Sequence, residues 1–309
     1  MTNLKQIYDK QTKQKGIKKK AVIAGGAVII IILAIIFLPY LLDNPKTKKA
    51  TYFEGSLDRI EIHTVQNDVY VYGTDDEDVE IYYPQGKYLT YQISQDEKSI
   101  SYSEEYKGLS FRNKSNSVLI YIPNDQIQDF VVSTESGRVH FSGCDVSNIS
   151  VSSTEGNLSG SMIKADTISF KSQSGAIDLW DAQIGKCTGE SDSGMINSSD
   201  SVFTDFIAKS NSGMISLYSI DFDSLAIDSE SGSVYVSLPH DRNEYSIDIN
   251  SLSSGEGKSR ISISCLPENY YIYFEETDYE SYEDDFESYQ EDELLIEQES
   301  SDIVEEVDE

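Results

Sequence analysis

Glycine returns every 19 residues through the middle of this chain, at Gly137, Gly156, Gly175, Gly194, Gly213 and Gly232, without a slip. Each closes a similar phrase, from Thr134-Glu135-Ser136-Gly137 to Ser229-Glu230-Ser231-Gly232. A short fixed period means that one repeat cannot bury its apolar face alone and must stack on its neighbours.

Numbered from Phe130, position 1 of the repeat holds Phe130, Ile149, Ile168, Cys187, Phe206 and Leu225, and position 3 holds Val132, Val151, Phe170, Gly189, Ala208 and Ile227. Position 5 is always small and hydroxylic, from Thr134 and Ser153 to Ser229. Beyond the glycine, position 10 is Val139, Leu158, Ile177, Ile196, Ile215 or Val234, and position 12 is mostly apolar. Alternation at period two is a strand signal, and Ser-x-Ser-Gly is turn chemistry, since glycine tolerates positive φ and serine hydroxyls bond nearby backbone. A third apolar stretch follows at positions 15 and 17, with Ile163, Ile184, Phe203, Ile220 and Phe222. Stacked coils place each strand beside its equivalent one repeat away, about 4.8 Å along the axis. The expected fold is therefore all-β, a parallel β-solenoid of 19-residue coils. A meander of antiparallel hairpins is the competing reading, and equal loop lengths argue against it. Position 4 runs Lys171, Glu190, Lys209, Asp228, so stacking predicts an exposed ladder of alternating charge.

Residues 21–42 form an uncharged apolar stretch of 22 residues, long enough as a helix to span a bilayer. Seven lysines and one acid (Asp9) precede it, which by the positive-inside rule puts residues 1–20 in the cytoplasm and the remainder outside. A cleaved signal peptide is the alternative, but no small-x-small site follows the stretch. One N-terminal transmembrane helix at the cell membrane is the expectation.

Formal net charge is −30. Removing the +6 of residues 1–20 leaves −36, and residues 268–309 account for 19 of those charges with no Lys or Arg. Such a polyanion is a poor nucleic-acid binder. The division read from this is a basic segment at 1–20, a membrane helix at 21–42, a linker at 43–54, a β-rich opening part of the solenoid at 55–125, regular coils at 126–267 and an acidic disordered tail at 268–309.

Catalytic and metal signatures are missing from the sequence. His63, His140 and His240 show no ligand spacing, so no metal or cofactor is expected. Gly255-Glu256-Gly257-Lys258-Ser259 lacks the first glycine of a phosphate loop, which would stand at Leu252. Cys144 and Cys187 fall at inward positions about three strand spacings apart, too far to bridge. A polysaccharide-acting enzyme needs loops inserted between coils, and the regular repeats leave none. The chain is read as no enzyme. Outward positions carry Trp180 and Tyr218 at position 13, Tyr235 at position 11, and Met195 and Met214 at position 9. Aromatics about 10 Å apart on a flat sheet could stack sugar rings or receive a protein partner, although single exposed aromatics on strands are ordinary.

The segment Leu119-Ile120-Tyr121-Ile122-Pro123-Asn124, followed by Ile127 to Val139 with its Ser136-Gly137-Arg138-Val139 turn, resembles the putative-adhesin β-strand-repeat family. The resemblance spans about residues 55–265. It implies a bacterial envelope domain of unknown biochemical function, often behind one membrane helix and sometimes within envelope-stress operons, with no site residues to carry over. The reading is thus a non-enzymatic, membrane-anchored surface module, adhesin-like or an envelope scaffold. An accessory of envelope-stress signalling, contacting another membrane protein, is the alternative; either role implies an envelope protein or a wall polymer as partner.

Overall fold

A computed structural model describes residues 46–52, 57–96, 98–106, 117–250, 252–255, 257–266 and 269–274. The basic segment 1–20, the apolar stretch 21–42 and the tail beyond residue 274 lie outside the described residues. Among those described, no helix is long and apolar enough to cross a membrane.

Each regular coil contributes one strand to each of two sheets. The second sheet receives β8 (Asp129–Thr134), β10 (Asn148–Ser153), β12 (Lys164–Ser172), β14 (Gln183–Ser191), β16 (Val202–Ser210) and β18 (Asp221–Ser229). Interleaved with them, the first sheet receives β9 (Val139–Ser142), β11 (Leu158–Ser161), β13 (Ile177–Trp180), β15 (Ile196–Ser199), β17 (Ile215–Tyr218) and β19 (Val234–Leu238). Neighbours within a sheet are parallel and in the 19-residue register: Ile149 sits beside Phe130 and Ile168, and Ile196 beside Ile177 and Ile215. Positions 1, 3, 10 and 12 face inward, and both sheets supply one continuous apolar core. Phe130 of β8 meets Phe141 of β9 edge to face at 5.3 Å. The third apolar stretch is no separate face. Its residues bury against the same core, and from β12 onward it runs into the next long strand.

The glycine column is real, but its cause differs from the expected one. None of the six glycines has positive φ. Instead, a Cβ built on Gly156 would lie within 2 Å of the Gly137 carbonyl oxygen, and the contact repeats up the stack. Only a residue without Cβ lets successive corners approach at strand spacing. The position-5 hydroxyl completes the corner by accepting the glycine N–H, at 2.9 Å for Thr134 and 2.8 Å for Ser172, Ser191 and Ser210. Positive φ falls at position 14 instead, on Gly143, Met162, Asp181, Asp200 and Ser219.

Both ends depart from chain order. Before the regular coils come β2 (Arg59–Thr64), β3 (Asp68–Thr74), β4 (Val79–Gln85), β5 (Leu89–Gln95), β6 (Ser99–Tyr106) and β7 (Ser117–Pro123). The coil made of β2 and β3 lies directly against β8 and β9, pairing Ile60 with Phe130 and Val69 with Val139. The later strands β6 and β7 lie beyond it. At the other end, β22 (Ser259–Ser264) stacks on β18, while the earlier β20 (Tyr245–Ile249) sits outside it. Antiparallel strands finish three of the four sheet ends: β5 on β6, β21 (Leu252–Ser254) on β20, and β1 (Lys46–Tyr52) on β4.

Two segment boundaries need correction. Residues 43–54 are not merely a linker, because β1 pairs along its whole length with β4 and lays a lysine-rich strand on that edge, a common protection against edge pairing. Nor does the tail begin at 268. β23 (Tyr270–Phe274) pairs in parallel with β19 and ends the first sheet, because its alternating apolar residues fit the last coil before the acidic run starts.

Candidate functional site

The two outer faces of the stack are chemically different. On the second sheet, outward position 4 carries small hydroxyls and charges, Ser152 and the ladder Lys171, Glu190, Lys209, Asp228 among them, while position 2 mixes Ser150, Ser169 and Thr188 with the half-buried Val131, Ile207 and Ala226. Glu190 pairs with Lys171 at 2.8 Å and reaches Lys209 at 3.9 Å. Asp228 stands in register beside Lys209.

Aromatic side chains gather on the first sheet. The register joins position 13 into one column across nine strands: Tyr121, Tyr72, Ser142, Ser161, Trp180, Ser199, Tyr218, Ser237 and Tyr273. The neighbouring position-11 column runs Leu119, Tyr70, His140, Ser159, Asp178, Asn197, Ser216, Tyr235 and Tyr271 across the same pairs. In these two columns Asp178 is the one acid, and no Lys or Arg occurs.

Of the residues singled out from sequence, Trp180 is 40% exposed and Tyr218 55%, and Tyr235 and Met195 are also exposed. Met214 is half-buried. All five lie on this one face. Residues missed in the sequence extend it. Tyr271 stacks on Tyr235 at 5.0 Å with ring planes 7° apart, and Tyr273 is 57% exposed. Towards the other end, His140 stacks on Trp180 at 5.6 Å and meets the edge of Tyr70, while Tyr121 stacks on Tyr72 and touches Tyr82 edge to face. Lys49 of β1 sits over the Tyr82 ring and pairs with Glu80. Their spacing in the chain gave no sign of this, because Tyr70 reaches His140 through a register step of 70 residues instead of 19.

Ionisation follows burial. Partial burial, then the charge of Arg138, lowers the pKa of His140, whose Nδ1 lies 2.8 Å from the Ser159 hydroxyl. Burial pushes the Cys144 thiol up to about 12 and raises that of Cys187 as well, so both are poor nucleophiles. All three cysteines are free. Among the described residues, no three His, Cys, Asp or Glu side chains are grouped to hold a metal ion.

These features define a class: a stacked, mainly parallel two-sheet β-domain with its exposed aromatics on one face and a ladder of charge on the other. The Toastrack DUF4097 family matches residues 57–266, and the chain belongs to that family, one of unknown function. Solved structures similar to it include a putative adhesin from Bacteroides fragilis NCTC 9343, at 17% identity and TM-score 0.48, covering 74% of this chain and 97% of that one. Another is a putative lipid binding protein from Parabacteroides distasonis ATCC 8503, at 17% identity and TM-score 0.49, covering 75% and 97%. A putative adhesin from Parabacteroides merdae ATCC 43184 matches at 11% identity and TM-score 0.40, covering 74% and 92%. No curated protein is recognisably similar to the chain.

Proposed function

We propose that the protein is a non-enzymatic, membrane-anchored surface module that makes its contacts through the outer face of the first sheet. The observation carrying this reading is the segregation of exposed aromatics, Trp180, Tyr218, Tyr235, Tyr271 and Tyr273, onto one side of a stack whose other side, among the described residues, bears the charge ladder and no exposed aromatic. Exposed aromatic rings cost solvation and serve contact, since they bring large area with few rotors to freeze. The membrane assignment rests on the sequence: residues 21–42 span the cell membrane, residues 1–20 stay in the cytoplasm and the stack stands outside. Its role is adhesion or scaffolding of the envelope.

Co-sedimentation of the full-length, detergent-solubilised protein with isolated bacterial envelopes tests this. The wild type sediments with them, and Trp180→Ser combined with Tyr218→Ser loses most of that binding while its thermal unfolding is unchanged. Undiminished sedimentation of the double variant contradicts the assigned face.

A further inference from the structure

Along the position-13 column, aromatic and serine rungs alternate in the outer half of the stack: Trp180, Ser199, Tyr218, Ser237, Tyr273. Consecutive aromatics are therefore two strands apart, about 10 Å. The line they define runs across the strands, and the pairing carries no register offset from β13 to β23.

Resting on the surface-module reading above, we infer that this column is a binding track for an uncharged, extended β-1,4-linked polysaccharide. In such a polymer each sugar is flipped relative to the one before, so every second ring turns the same face to one side. The two-strand spacing of the aromatics matches that disaccharide repeat. Trp180, by the ring face that His140 does not cover, and Tyr218 and Tyr273 each stack one sugar face, and the hydroxyls of Ser199 and Ser237 meet the intervening sugars. Charge selects among polymers. The track lies in a chain of net charge −30, and its two columns carry no Lys or Arg, so a polyanionic glycan is repelled and finds no counter-charge. Helical α-1,4 and β-1,3 chains do not present one face at this interval.

Calorimetric titration of the full-length protein in detergent micelles tests the track. The probes are β-1,4-linked oligomers of N-acetylglucosamine and of glucose, two to six sugars long, with α-1,4 and β-1,3 glucose hexamers and carboxymethylated β-1,4-glucan as controls. Affinity should rise stepwise from dimer to tetramer to hexamer as each further ring is reached. Trp180→Ala and Tyr218→Ala should each weaken hexamer binding by about tenfold, as expected for loss of one stacked ring. The decisive variant combines Trp180→Ser with Ser199→Trp. It keeps the number of aromatics and breaks their interval, so it should bind the hexamer about tenfold less tightly. Trp180 is exposed and Ser199 half-buried, and an unchanged unfolding temperature verifies the fold.

No binding of either β-1,4 hexamer, equal binding of the α-1,4 or β-1,3 hexamers, or full binding by the exchanged variant overturns the inference. If the hexamers fail while envelope co-sedimentation still depends on Trp180 and Tyr218, the track is wrong and the surface reading stands. If co-sedimentation is also independent of them, both fall.

Discussion

Two kinds of glycine sit in this stack, and they should respond oppositely to the same substitution. At Gly175 a Cβ would stand 2.1 Å from the carbonyl oxygen of Gly156, a backbone atom that cannot move without parting the coils. At Gly189, within β14, the nearest atom is a methyl of Ile196 at 3.4 Å, and φ is outside the left-handed region. Gly175→Ala should cost about 3 kcal/mol as overpacking. Gly189→Ala should stabilise by about 0.5 kcal/mol, because it restricts the unfolded chain. Chemical denaturation of the two variants measures both signs. The sequence showed that the column exists but not why, since spacing alone cannot separate positive φ from close approach.

His140 gives a second residue-scale test. Its folded pKa is lowered by burial and by Arg138, so the folded state binds its proton less readily than the unfolded chain. The associated stability is intact above the unfolded value of about 6.5 and is lost as pH falls below it. Wild-type protein should therefore lose more stability between pH 7.5 and pH 5 than His140→Gln, and an NMR titration of the ring should show a midpoint below that of a free histidine.

Among the elements, the charge ladder reports the register of the long strands. Glu190 on β14 lies between Lys171 on β12 and Lys209 on β16 and holds both. Glu190→Lys would set three lysines in adjacent strands, costing up to about 1 kcal/mol because the sites are exposed. The melting temperature of this variant should drop at low salt and recover as salt screens the repulsion. Regular coils were legible because most inward positions are apolar at the same phase. The ends were not. Ile60 pairs with Phe130 and Leu225 with Ile261, steps of 70 and 36 residues that break the 19-residue period. β1 hides behind its lysines, and β23 hides in front of an acidic run, so composition averaged over either segment masks the strand. The candidate site suffered from the same cause. Trp180 and Tyr218 stood out at a shared repeat position, whereas Tyr72, Tyr121 and Tyr273 join them only once those irregular registers are known.

For the whole molecule, the proposed function is that of an anchored stack with one working face. If residues 1–20 are cytoplasmic, protease added to intact cells should remove the acidic tail first and leave residues 1–42 protected; protection of the tail would reverse the orientation. The most direct measurement places a photoreactive side chain at Tyr218 on the aromatic face or at Lys171 on the face of the charge ladder of the full-length protein, and irradiates living cells. The account predicts covalent capture of an envelope component from position 218 and little from position 171. Equal capture from both, or capture from position 171 alone, would contradict it.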